Sequence, residues 1–142
     1  MRKKMKVYLS GPMDGLTLKE ARAWRAEATN QLNRIGILTH DPTCLLKNKF
    51  LKSKRIIGNI PYQETEGSAR QIVERDLVAL KQCQFLLCNL ILSRTNINRR
   101  HIPVGTIVEM GLAREKYHIP VIVITNCLEK RAWVEGIADK VF

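Results

Sequence analysis

Short apolar runs alternate along this chain with longer stretches in which apolar residues return every three or four positions, a pattern that predicts strands and helices in turn. Lys6 to Ser10 reads as a first strand, stopped by Gly11-Pro12. From Leu18 to Arg34 the spacing of Leu18, Ala21, Trp24, Ala28, Leu32 and Ile35 predicts a helix, with Gly36 as its C-cap. Ile37-Leu38-Thr39 is a brief second strand running into His40-Asp41-Pro42. Residues 43 to 67 are polar, basic and aperiodic, which suits a substrate-covering or mobile loop. Ser68 is placed to cap a helix from Ala69 to Gln82, with Ile72, Leu77 and Leu80 inward. Phe85 to Leu90 reads as a strand covered on both faces. An irregular stretch at 93 to 102 leads to a helix from Val104 to Tyr117, a strand from Ile119 to Thr125, and a helical or irregular tail from Arg131 to Lys140.

Strands alternating with helices imply one α/β domain over residues 1–142, built on a mainly parallel sheet with right-handed crossovers. Ligands of such sheets sit outside the carboxyl ends of the strands. The polar residues at those ends are Ser10, Gly11 and Asp14, then Asp41, Asn89 and Asn126. Glu109 joins them from the helix between the last two strands, in the run Gly105-Thr106-Ile107-Val108-Glu109. A carboxylate there is a nucleophile candidate, kept ionised by the helix dipole, while Gly105 allows backbone to approach a ligand closely.

At 142 residues and 45% apolar, the chain has the size and composition of one globular domain. Its longest apolar runs, such as Val121 to Ile124, are far short of the ~20 residues that span a bilayer. The basic start lacks an apolar segment of signal-peptide length, so a cytoplasmic protein without membrane partners is expected. Four cysteines, Cys44, Cys83, Cys88 and Cys127, show no zinc-type spacing and read as reduced, mostly buried thiols. His40, His101 and His118 suggest no metal cluster and read as structural or surface residues. The net charge of +11 favours an anionic partner, a nucleotide or nucleic acid, with basic clusters at 2–6, 47–55 and 94–101.

Taken in order, Val7-Tyr8-Leu9-Ser10-Gly11-Pro12, Trp24-Arg25, Asp41-Pro42, Arg75-Asp76, Cys88-Asn89-Leu90 and Gly105-Thr106-x-x-Glu109-x-x-x-Ala113 resemble the nucleoside 2-deoxyribosyltransferase family, including its nucleotide N-hydrolase relatives. The resemblance runs from about residue 6 to the C-terminus. It implies a flavodoxin-like or Rossmann-like, doubly wound subunit that cleaves the N-glycosidic bond of a deoxynucleoside or its monophosphate without a cofactor. By the same resemblance Glu109 would hold the sugar as an ester, Tyr8 would orient that carboxylate, and Asp76 would manage the proton of the departing base. Gly105 and Thr106 would border the substrate. The tail resembles one that enters a neighbouring subunit's site, which implies a homo-oligomer and places Arg131 and Trp133 at the sugar.

Two departures stand out. Pro103 lies where the family has an aspartate that reads the base, so base recognition falls to Asn89, Asp41 or loop residues. Arg131 replaces an asparagine, and an arginine near the sugar 5′ end suits the phosphate of a 5′-monophosphate. Three readings stay open. One is transfer of the sugar to a free nucleobase or to water. Another is a non-catalytic nucleotide or nucleic-acid binding module. The third is a lysine-decarboxylase-like phosphoribohydrolase, whose glycine run is incomplete before Thr106.

Overall fold

The computed structural model describes residues 4–13, 15–45, 69–91, 103–126 and 130–142. Among them, β1 (Lys6–Ser10), β2 (Leu38–His40), β3 (Phe85–Leu90), β4 (Val121–Thr125) and β5 (Lys140–Val141) form one sheet in the order β2-β1-β3-β4-β5. Every neighbouring pair is parallel, with Tyr8 beside His40 and Leu86, and Ser10 beside Cys88. The helices are α1 (Leu18–Arg34), α2 (Ala69–Lys81), α3 (Val104–Gly111) and the short α4 (Ala132–Glu135). This is the expected doubly wound α/β arrangement.

The pleat decides which helix covers which face. Thr39 meets Thr29 of α1, and Val7 is in register with Thr39, so α1 lies over the face that carries Val7 and Leu9. The other face carries Tyr8, Leu86, Cys88, Val121 and Val123, which pack with Ala79 and Leu80 of α2 and Met110 of α3. β3 therefore alternates: Leu86, Cys88 and Leu90 are buried, whereas Phe85, Leu87 and Asn89 are partly covered, not the uniform burial that its composition predicts.

α1 is closed by its own sequence. Thr17 accepts from the Glu20 amide at 3.2 Å while the Glu20 carboxylate accepts from the Thr17 amide at 2.7 Å, a capping box legible in Thr17-x-x-Glu20. At the other end Gly36 takes a φ of +79°. Its amide bonds Asn33 O, and the Ile37 amide bonds Leu32 O, each at 3.0 Å, which terminates the helix in a Schellman motif. Ile35, expected inside, is 71% exposed at this turn.

Several boundaries shift for identifiable reasons. β2 begins at Leu38, not Ile37, because the Ile37 amide is spent on closing α1. The helix expected through Tyr117 is regular only to Gly111, then widens into a π-helical turn over Leu112–Lys116. β4 starts at Val121, since the Ile119 amide bonds Ala113 O and Pro120 has no amide proton to give. The tail adds a short edge strand: the amides of Asp139 and Phe142 bond Val121 O and Val123 O, and Asp139 Oδ2 accepts from the Val121 amide. Cys83 and Cys88 are buried free thiols, but Cys44 is exposed, because its 3-10 turn (Pro42–Leu45) lies beyond the packed end of β2. No helix among the described residues is long and apolar enough to cross a membrane.

Candidate active site

The last residues of β1 and the middle of α3 build the site. Tyr8 and Ser10 project from the face that α2 and α3 cover, and α3 carries Glu109 to them. The Tyr8 hydroxyl donates to Glu109 Oε1 at 2.9 Å, and the Ser10 hydroxyl donates to Oε2. A donor on each oxygen fixes the plane of the carboxylate, and Glu109 itself stays partly open while the next residue, Met110, is fully buried. Burial pushes the Glu109 carboxyl above the ordinary carboxylate range; the Ser10 and Tyr8 hydroxyls oppose that, Asp76 adds to it, and Arg25 opposes it. The helix dipole expected to hold Glu109 ionised has little leverage, because Glu109 is the sixth residue of α3, past the first turn where the dipole acts.

Asp76 stands on α2 within electrostatic reach of both Glu109 and Tyr8. Burial raises its carboxyl to about 6 against the pull of Arg75. The Arg75 Nε to Asp76 Oδ1 separation of 3.6 Å is an ion pair too long for a hydrogen bond, so Oδ1 has no hydrogen-bond partner among the described residues. Burial and the charges of Glu109 and Asp76 drive the Tyr8 phenol far above its usual value, which keeps it protonated and donating.

Three neighbours escape a reading by residue type. Arg25 is 1% exposed, under the end of β1; the signal is its place on the same helical face as Leu18 and Ala21. The His40 ring stacks on Tyr8 with centroids 5.3 Å apart, and burial lowers its pKa, which favours the neutral imidazole. Trp24 packs so closely on Gly11 that a Cβ there would lie 2.7 Å from the indole and 3.2 Å from Asn89 O. Glycine at 11 is thus demanded by close approach.

The remaining expected site residues divide. Thr106 is buried in the first turn of α3. Around Gly105 a Cβ would meet no described atom within 4 Å, so packing among the described residues does not explain glycine there. Asp41 Oδ1 is occupied by the Thr43 amide at 2.8 Å and the Thr43 hydroxyl at 2.7 Å, and lies 3.6 Å from Arg25 Nε. Asn89 Oδ1 accepts from the Ile91 amide at 2.9 Å. Both are committed to local structure, as short polar side chains at strand ends often are. Asn126 is exposed after β4. Arg131 and Trp133 are exposed at the start of α4 and do not join the Tyr8–Glu109 group within one chain. Asp14, Cys127, His101 and the basic stretches 47–55 and 94–101 lie outside the described residues. No group of three His, Cys, Asp or Glu residues suited to a metal ion occurs among the described residues.

No family model matches the sequence, and no curated protein sequence matches it either. In three dimensions the chain is similar to the solved structure of the 2-deoxyribosyltransferase from the psychrotolerant bacterium Bacillus psychrosaccharolyticus, with a TM-score of 0.64 and 14% sequence identity. The superposition covers 96% of this chain and 85% of that one. What the two share at that identity is the fold, a parallel α/β sheet with its helices on both faces.

Proposed function

We propose that this protein cleaves the N-glycosidic bond of 2′-deoxynucleosides or their 5′-monophosphates through a deoxyribosyl ester on Glu109, and passes the sugar to another nucleobase. The observation that carries this reading is a half-buried carboxylate with one hydroxyl donor on each oxygen, at the carboxyl end of the sheet. Such a group is oriented before substrate arrives, which is where much of the rate of a displacement comes from. The fold shared with a 2-deoxyribosyltransferase and the order of the sequence motifs support it.

The chemistry follows the retaining glycosidase pattern. An oxygen of Glu109 bonds to C1′ as the C1′–N bond breaks and its electron pair leaves with the base. Protonated Asp76 gives its proton to the departing base, a role suited to a carboxyl that titrates at about 6. Tyr8 and Ser10 keep Glu109 in line. In the second half a nitrogen of the acceptor base attacks C1′, the ester C1′–O bond breaks, Glu109 regains its charge, and the acceptor's proton returns to Asp76. Water in place of the acceptor makes the same site an N-glycosidase. Incubating a deoxynucleoside with and without a second base separates the two: exchange needs the acceptor, hydrolysis does not. No release of base under either condition contradicts the proposal.

The tail extends the reading. Trp133 is 74% exposed, and with Arg131 it would complete the site of a neighbouring copy in a homo-oligomer, Arg131 meeting a 5′-phosphate. Comparing deoxycytidine with its monophosphate in wild type and Arg131→Ala tests this, and a wild type indifferent to the phosphate ends it. The net charge of +11 favours one other reading, a binding module for nucleotides or nucleic acid. It predicts steeply salt-dependent binding to DNA or RNA that Glu109→Gln leaves intact.

A further inference from the structure

Among the described residues Arg25 heads the fully buried side chains by size, yet it takes no step in the reaction proposed above. A guanidinium cannot shed its charge, so burying it is costly unless its donors are satisfied. Here Nε points to Leu9 O at 3.5 Å, Nη2 donates to Gly11 O at 3.0 Å, and Nη1 donates to Ala21 O. Trp24 backs the group, 4.7 Å from ring centroid to guanidinium carbon. The two carbonyls in β1 and its following loop belong to the residues on either side of Ser10, whose hydroxyl meets Glu109. One fork therefore reaches the carbonyls of both chain neighbours of Ser10. Glycine at 11 is what lets Trp24 sit this close.

We infer that Arg25 is a positioning residue: from beneath the sheet end it clamps the backbone around Ser10, which aims the Ser10 hydroxyl at Glu109, and it sets a fixed positive charge behind that carboxylate. The inference rests on the role proposed for Glu109. Among the described residues Arg25 is faced by Asp41 after β2, Tyr8 on β1 and Glu109 on α3. Glu109 is in turn faced by Tyr8 and Ser10, by Asp76 on α2, by Arg25 and by Cys88 on β3. Burial, Asp76 and the neighbouring Cys88 act against an ionised Glu109 or gain nothing from it; Arg25 is the cation in this set that favours it. Lysine would keep the charge but not the planar fork that reaches two carbonyls at once.

The test compares the full chain as wild type, Arg25→Lys and Arg25→Met, each checked for cooperative thermal unfolding. Glu109 is titrated by carboxyl carbon NMR, its signal assigned by its loss in Glu109→Gln, and kcat and KM are read on deoxynucleoside turnover. Arg25→Met is expected to raise the Glu109 midpoint by about one pH unit. It is expected to lower kcat about 100-fold with KM within about threefold. Arg25→Lys should leave the midpoint within about 0.3 unit of wild type and lower kcat about tenfold. In a Ser10→Ala background the Arg25→Lys loss should vanish, because the group it positions is gone. If Arg25→Met does not fold, Arg25→Lys with and without Ser10→Ala decides. An unmoved Glu109 midpoint in folded Arg25→Met, or an Arg25→Lys loss undiminished in Ser10→Ala, overturns the inference. A wild type that turns over no deoxynucleoside counts against the proposed function instead, and the NMR titration still decides whether Arg25 governs the charge on Glu109.

Discussion

α1 and α3 reach the end of β1 from opposite faces of the sheet, and each brings one charge to it. α1 is shut at both ends by residues of its own, the Thr17–Glu20 capping box and the turn at Gly36. α3 starts at Pro103 with no side-chain cap and runs into a π-helical turn at Leu112. Local chemistry thus specifies α1, whereas α3 depends on what Thr106, Met110 and Ala113 bury beneath it. The charges differ in the same sense. Arg25 is sealed and meets three carbonyls, while Glu109 is held by two hydroxyls, is partly open, and is opposed by its surroundings when ionised. The lesson is a contrast between a satisfied helix and a frustrated one, and it is the second that carries the nucleophile of the proposed reaction.

The sharpest way to break that contrast is Glu109→Gln. It is expected to lower kcat by at least about 10⁴-fold, since the nucleophile is gone. Stability should move the other way. A carboxyl raised in the folded state contributes stability below its unfolded pKa and loses it as pH rises through the folded value, so the raised Glu109 carboxyl weighs against the fold as pH rises. The glutamine variant should therefore melt at or above the wild-type temperature at neutral pH, and a clear drop would show that Glu109 is structural.

Asp76 comes next. If its protonated form feeds the departing base, kcat/KM falls as pH rises through about 6. Asp76→Asn should cost about 10²- to 10³-fold and flatten that basic limb. A pH profile that stays level through neutrality in the wild type would assign the proton elsewhere.

Ser10→Ala and Tyr8→Phe each remove one donor from Glu109, with an expected loss in kcat of about 10- to 100-fold and little change in KM. A change confined to KM would mean that these hydroxyls bind substrate and do not orient the carboxylate.

The glycines sharpen the comparison further. Gly11→Ala forces Trp24 or the Asn89 carbonyl to shift and should destabilise the fold by about 1–3 kcal/mol in denaturant unfolding. Gly105→Ala meets no described atom and should stabilise α3 by up to about 1 kcal/mol; a loss of activity alongside would mark backbone that a ligand touches. The smallest effect expected is Thr17→Ala, which should cost α1 about 1 kcal/mol and leave kcat unchanged.

Much of this architecture is legible from periodicity, because the strands are short apolar runs and α1 keeps its helical spacing for 17 residues. Glu109 and Ser10 could be grouped in advance because parallel sheets gather strand ends at one edge, whereas Tyr8 joins them only through the family resemblance. Arg25 was hidden by its type: a charge on an apolar helix face contradicts the pattern used to find that face, and the carbonyls of Leu9, Gly11 and Ala21, with Asp41 nearby, make its burial tolerable. β5 spans two residues, too few for any alternation to register. Asp41 and Asn89 sit at strand ends as expected, but each turns its Oδ1 to the nearest amide, a competition that residue type alone does not resolve. The π-helical turn after Gly111 closes through the Tyr117 amide on Leu112 O, a register that the apolar spacing of the sequence does not announce.

The most direct measurement is intact-protein mass spectrometry after brief exposure to a deoxynucleoside analogue carrying fluorine at C2′, which slows release of the sugar ester. The expected result is a single added sugar, mapped by peptide digestion to Glu109 and absent from Glu109→Gln. Steady base release with no adduct, or an adduct on any other side chain, would contradict a reaction carried by the ester of Glu109.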